Sequence, residues 1–366
     1  MRRRLTSLVL ALLTGTPPFA TQIAAQQAAT DTSRLRALYD ATRAVQSEVE
    51  RAHGHYVTTN GVRLHYLEWG DARGTPLVWA HGSAGSAYEF RALAAQLADS
   101  GYRVIAPDYR GHGLTELGAS AEFSIYDIAA DLVALLDSLG IRRAVFGGSS
   151  KGGFVAGAAY HDHPDRVMGL LLHDGGSWSN QWAYDRHGIG SVQRIVERGE
   201  GPPRVVDSTA FAVFARLVAP RLAAGRTPPP ESLLEGLASI QQRADGSWGF
   251  LPHFEALMGS PETFLAGTSK PSLLPLLQWS QHAFIATVVY RRLEVPMLII
   301  DPQRDPDDEP MTDQNERLAR MHPSLVVHRV YPQTGHAAWR ERPDWVLRDA
   351  MELRRRVLAA EARRRE

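Results

Sequence analysis

The sequence predicts an α/β fold in which a mostly parallel sheet is covered by helices on both faces and interrupted by one mainly helical insertion. Three observations carry this expectation. Between Pro76 and Asp174, short apolar runs alternate with segments whose apolar residues recur at helical spacing, the pattern of a sheet buried on both sides. From Gly175 to about Arg292 that rhythm stops, and breaks such as GEGPPR and GRTPPPE separate helical patches rich in aromatic residues. It resumes at VPMLIID (Val295 to Asp301) and LVVHRVYP (Leu325 to Pro332).

The size and composition agree with a core plus an insertion. A chain of 366 residues, 44% hydrophobic, is long for one compact domain. Its formal charge of zero leaves no basic footprint for nucleic acid. The absence of cysteine excludes a disulfide scaffold, a thiol enzyme and a lipid-anchored lipoprotein.

The elements follow in chain order. MRRRLTSLVLALLTGTPPFATQIAA passes from arginines through an apolar stretch centred on Leu8 to Leu13 and into small residues, the order of an export signal. The apolar portion is too short to span a bilayer in the mature protein, so cleavage near Ala25 and a periplasmic or extracellular location are expected. Next, Leu35, Leu38, Ala41 and Val45 stand near helical spacing and predict one amphipathic helix in a 26–54 extension. YVTTNGVRLHYLEWGD places two extended runs around Asn60-Gly61, a hairpin signal. PLVWA, YRVIAP, RRAVFG and RVMGLLLHD read as strands, and the segments between them as loops and helices; SIYDIAADLVALLDSLG ends at Gly140, a natural helix stop. The last segment, DWVLRDAMELRRRVLAAEARRRE, is a terminal helix whose arginines form a solvated face. The expected organisation is a signal peptide at 1–25, the helical extension at 26–54, core at 55–174, a helical cap at 175–292 and the rest of the core at 293–366.

FGGSSKGG, Phe146 to Gly153, lies between a strand and a helix. A serine on so sharp a turn needs glycine two residues before and two after, where a Cβ would meet neighbouring backbone. Ser150 has Gly148 and Gly152; Ser149 has Gly147 but then Lys151, so Ser150 is the candidate nucleophile. A serine hydroxyl needs a base, and imidazole serves at neutral pH. His336, in YPQTGHAAW just past the last strand, is delivered to the same sheet edge as the elbow. His173 is nearer in sequence, as are His161 and His163, which precede Pro164 in a helix-ending turn. The order serine, acid, histidine points to the loop DPQRDPDDEP for the orienting carboxylate. Asp305 is the choice there, with Asp301 assigned to the strand end and Asp307 and Asp308 to solvated loop.

These stretches together resemble the alpha/beta-hydrolase superfamily, in the branch with a cap inserted after the sixth core strand. HGSAGSAYEF is similar to that family's HG loop, APDYRGHG to its PDxRGxG turn, GGSSKGG to its elbow, PQRDPDDEP to its acid loop and PQTGHAAWRERP to its PxxGH loop. The resemblance covers roughly Val62 to Met351. It implies an eight-stranded sheet, a triad of Ser150, Asp305 and His336, and an oxyanion hole from the backbone amides of Ser83 and Lys151, both placed to face developing negative charge. There are departures. Pro302 stands where the acid loop usually has glycine. Asp174 occupies a place from which some members supply the acid, and is the alternate. The Lys151 side chain, unusual after the nucleophile, has either solvent or a substrate carboxylate within reach.

Serine at 150 argues, by this resemblance, against haloalkane dehalogenase and epoxide hydrolase chemistry, which place aspartate at the elbow. It implies an acyl-enzyme formed from a carboxylic ester or lactone, and the aromatic cap favours a hydrophobic small molecule of moderate size. The alternatives are a carbon–carbon bond hydrolase of the meta-cleavage-product type, a proline-type aminopeptidase and a non-catalytic ligand-binding module. HDHPD fits a surface connection better than a metal site, and no GxGxxG or phosphate loop appears, so no cofactor and no metal are expected.

Overall fold

The computed structural model describes residues 19–83, 85–120, 122–180, 205–243, 245–250, 263, 266–267, 270–303 and 311–366. Helix α1 (Phe19–His53) leads into a hairpin of β1 (Gly54–Thr59) and β2 (Val62–Trp69). Asn60 and Gly61 turn it with φ of 48° and 71°, the left-handed pair that a two-residue turn between twisted strands requires. Then come β3 (Thr75–Ala80), α2 (Arg91–Asp99), β4 (Tyr102–Pro107), α3 (Ile125–Ser138), β5 (Ala144–Ser149), α4 (Lys151–Asp162) and β6 (Val167–His173). After the insertion the chain returns with β10 (Met297–Gln303), α9 (Thr312–Met321), β11 (Val326–Pro332), α10 (Ala338–Glu341) and α11 (Pro343–Arg365).

Eight strands form one sheet in the order β1-β2-β4-β3-β5-β6-β10-β11. The first two join antiparallel, and the other six run parallel. Successive strand residues feed opposite layers. Val78, Phe146 and Leu170 pack with α3 and α4, whereas Leu77, Val145 and Leu171 pack with α2 and α11. That two-sided burial is why these strands carry almost no polar residue.

The insertion contributes α5 (Ala210–Ala223), α6 (Pro230–Ala238), α7 (Leu276–His282) and α8 (Ala286–Val289). It also holds a small antiparallel sheet of β7 (Val206–Asp207), β9 (Trp248–Phe250) and β8 (Ile240–Gln242) that the helical reading did not foresee. The signal was Asp245-Gly246: Gly246 has φ +82° and the Ser247 hydroxyl and amide both donate to the Asp245 carboxylate, closing the turn between β8 and β9.

Helix α1 braces this insertion. Leu35 and Tyr39 join Val213, Phe214, Leu233 and Leu237 in a separate core, with Tyr39 edge-on to Phe211 and Phe214 at 5.5 and 5.3 Å. The buried stripe runs Leu35, Tyr39, Thr42 and Val49; Ala41 and Val45, expected to face inward, are exposed. The alternating steps of four and three that choose Tyr39 and Thr42 turn the helix so that its aromatic residue, with the larger surface to bury, meets the insertion. No helix among the described residues is long and apolar enough to cross a membrane.

Candidate active site

The carboxyl ends of β3, β5, β6 and β11 deliver their loops to one edge of the sheet. Neighbouring registers, Ala80 beside Gly148 and Ser149 beside His173, put the loop after β3 and the turn after β6 on either side of the β5–α4 junction. Ser150 sits at that junction with φ 49° and ψ −119°, a strained conformation for a side chain with a Cβ. Its amide donates to His173 O at 2.9 Å and its carbonyl accepts from Gly153 N at 3.0 Å. The flanking glycines are sterically required. A Cβ on Gly152 would lie 1.9 Å from Ala80 O, and one on Gly148 2.3 Å from the Gly152 carbonyl carbon. Gly175 closes against the same turn, where a Cβ would lie 2.0 Å from Ser150 O.

The two serines have separate surroundings. Ser149 is buried and its hydroxyl donates to Glu89 Oε1 at 2.5 Å, whereas Ser150 is partly accessible. Gly82 comes close to both: a Cβ there would stand 3.3 Å from Ser149 Oγ and 3.6 Å from Ser150 Cβ. The HG loop carrying Ser83 therefore lies against the elbow. His81 fixes that loop. Its Nε2 faces the Tyr109 amide at 3.3 Å and accepts, leaving Nδ1 to donate to Gly82 O at 2.8 Å. Burial lowers its pKa to about 4 and keeps it neutral, and the Tyr109 hydroxyl donates to its carbonyl at 2.5 Å.

His336 follows β11, and its Nδ1 lies 2.5 Å from Asp174 Oδ2. Asp174 is the residue after β6, held at φ 47° with its amide on Ile300 O. The structure thus brings the alternate acid to the histidine. Asp305, Asp307 and Asp308 lie outside the described residues. Asp301 belongs to β10, where its buried carboxylate meets His328 Nε2 at 2.9 Å. His173 is buried edge-on against Trp339 at 4.8 Å, with its ring 6.5 Å from that of His336, and burial lowers its pKa to about 3.

Lys151 corrects one expectation. Its side chain is 0% exposed, which removes the solvent-facing alternative, and burial lowers its pKa to about 7. Three buried histidines lie within its influence, His81, His112 and His282 of α7, and burial above all lowers their pKa values to about 4, 3 and 4, so they stand neutral near pH 7. Trp178 and Phe284 contribute the apolar part, each edge-on to Phe154 of α4 at 5.2 and 5.4 Å. Trp279 points outward, and Trp182, Tyr184 and Phe254 lie outside the described residues.

The PDxRGxG turn has a structural role. The buried Asp108 carboxylate accepts from Ala87 N at 2.6 Å and Leu114 N at 2.9 Å and pairs with His65 Nδ1 at 2.6 Å, tying the loops after β3 and β4 to β2. Sequence reading missed Glu89. A single acid inside the apolar run AYEF was its signal. Among the described residues no group of three or more histidine or acidic side chains is arranged to hold a metal ion.

Residues 75–195 match the family model described as alpha/beta hydrolase fold. Over 115 residues the chain is 43% identical to Epoxide hydrolase A of Mycobacterium tuberculosis, covering 31% of this chain and 36% of that protein. The match thus spans about a third of that relative. Among solved structures, E-2-(acetamidomethylene)succinate hydrolase superposes with a TM-score of 0.60 at 20% identity, covering 82% of this chain and 98% of that one. A carboxylesterase from Nitrososphaera gargenis gives 0.55 at 20% identity, covering 83% and 99%.

Proposed function

From the premise that this chain is an alpha/beta hydrolase by fold, we propose that it is a serine hydrolase acting through an acyl-enzyme on carboxylic esters or lactones of moderate size. The observation that carries this reading is the strained Ser150 at the strand-to-helix junction, on the edge where His336 meets Asp174. In the proposed cycle Asp174 accepts from His336 Nδ1–H, leaving Nε2 to take the Ser150 proton as Oγ attacks the carbonyl carbon. The amides of Ser83 and Lys151 receive the oxyanion, the alcohol leaves with the proton from His336, and water repeats the sequence to release the acid.

The resemblance to an epoxide hydrolase raises a second chemistry. Its ring-opening would require residue 150 to displace oxygen from an sp³ carbon. A carboxylate nucleophile forms an ester that water can cleave; a serine alkoxide would form an ether, which has no acyl carbon for the second step. The side chain at 150 favours acyl transfer. Hydrolysis of a panel of short aryl esters and lactones, comparing the native chain with Ser150→Ala, tests the reading. Turnover that persists in the variant rejects it.

We also propose that the protein is exported, with the mature chain beginning near Gln26. The residues through which α1 grips the insertion, Leu35 and Tyr39, lie beyond that point and would be retained. N-terminal sequencing of protein from the native envelope or medium is the check, and an intact Met1 in a cytosolic fraction overturns it.

A further inference from the structure

We propose that Glu89 is a positioning residue that sets the spacing between the two halves of the oxyanion hole. This rests on the acyl-transfer reading above. Glu89 lies in a 3-10 turn, Ala87–Phe90, between the HG loop and α2. One carboxyl oxygen accepts from the Gly82 amide at 3.0 Å, and the other meets the Ser149 hydroxyl at 2.5 Å. Gly82 immediately precedes Ser83. Ser149 precedes Ser150 and Lys151. A single side chain therefore ties together the two backbone segments whose amides must converge on one oxygen atom. Its carbonyl also accepts from Trp339 Nε1 at 3.1 Å, three residues after His336. The base loop is anchored to the same turn.

The fit is close. A Cβ on Gly85 would come within 2.6 Å of Glu89 Oε2, so the loop closes directly over the carboxyl. The turn is held at its start by Asp108, itself paired with His65, through the Ala87 amide. The other groups facing Glu89 are Glu235 of α6 and Arg340 of α10, which pair with each other, and the Tyr109 phenol. Arg91, the first residue of α2, is engaged by Glu231.

Charge on this carboxyl has a consequence. Burial raises its pKa to about 7, outweighing the hydrogen bonds from Ser149 and Gly82 that favour the anion. Below that pH the neutral acid still accepts from Gly82 and offers its own proton to Ser149 Oγ. Above it, a negative charge stands beside the site where an oxyanion must form. Ionisation should therefore oppose the reaction. The kcat profile is expected to fall near pH 7 as Glu89 loses its proton.

The test compares the native chain with Glu89→Gln and Glu89→Ala on one neutral aryl ester from pH 5 to 9, with folding followed by circular dichroism. Labelling of Ser150 by a fluorophosphonate establishes the serine-hydrolase reading separately; if labelling and turnover are both absent, that reading fails and this one with it. Given labelling, Glu89→Gln keeps both hydrogen bonds without a charge and should hold kcat within about threefold at its optimum while losing the fall above pH 7. Glu89→Ala should lower kcat by about tenfold or more with KM within about threefold, because misplaced amides cost transition-state binding more than substrate binding. If the alanine variant fails to fold, the glutamine profile decides alone. A glutamine variant whose profile superimposes on the native one, or an alanine variant with native kcat, overturns the proposal.

Discussion

His336 Nδ1 and Asp174 Oδ2 stand 2.5 Å apart although 162 positions separate the residues in the chain. The contact depends on the left-handed backbone of Asp174, which turns its side chain away from the continuation of β6. Asp174→Asn should keep the fold but favour the wrong tautomer of His336, lowering kcat by about 10³–10⁴, as removal of an orienting carboxylate does elsewhere. Asp305→Asn should stay within a few fold. Steady-state kinetics of both on one ester checks this, and the reverse ranking would return the role to Asp305.

The elbow glycines should be intolerant of even one carbon. Gly152→Ala places a Cβ 1.9 Å from Ala80 O and should cost about 3 kcal/mol or more, or prevent folding. Gly225→Ala, at φ +70° with open space around it, should cost only about 1–2 kcal/mol of backbone strain. Urea denaturation of the pair gives the comparison.

Stability should decline in mild alkali because of His65. Burial works against its charge, but its bonds to Asp108 and to Glu50 of α1 outweigh that and raise its pKa to about 9. A histidine whose folded pKa exceeds its unfolded value of about 6.5 contributes stability fully below that pH and loses it as pH rises through the folded value. Melting temperature should therefore fall between about pH 7 and 9, and fall less steeply in His65→Asn. Glu89, also raised, acts in the lower window between about 4.5 and 7, so the two are separable.

Tyr39→Ala should loosen the insertion more than the sheet. The ring is buried against Phe211 and Phe214, and its removal is expected to cost about 3 kcal/mol. Hydrogen exchange should accelerate in α5 and α6 while β5 and β6 stay protected; uniform acceleration would show that α1 supports the whole fold.

What was legible in the sequence was what local pattern controls. The strand, the glycines at two residues' distance and the following helix all lie within a few residues of Ser150, so its position followed from steric need alone. His336 was legible because parallel strands deliver their following loops to one edge. The acid was less legible, because the sequence offers carboxylates after both β6 and β10, and the reach of Asp174 to His336 depends on a left-handed backbone that no local pattern announces. Glu89 was hidden for a similar reason, as Gly82 shares its connection after β3 but its other partner, Ser149, comes from the end of β5. The face of α1 departs from its apolar pattern because Ala41 and Val45 are exposed, while Tyr39 packs against Phe211 and Phe214 of the insertion.

The most direct measurement is peptide mass spectrometry after treatment with a fluorophosphonate probe. A single adduct on Ser150, lost in Ser150→Ala and slowed in His336→Ala, is expected from a strained, accessible hydroxyl served by the imidazole. An adduct on Ser149, whose hydroxyl is buried on Glu89, or full esterase activity in Ser150→Ala, would contradict the assignment of Ser150 as the nucleophile.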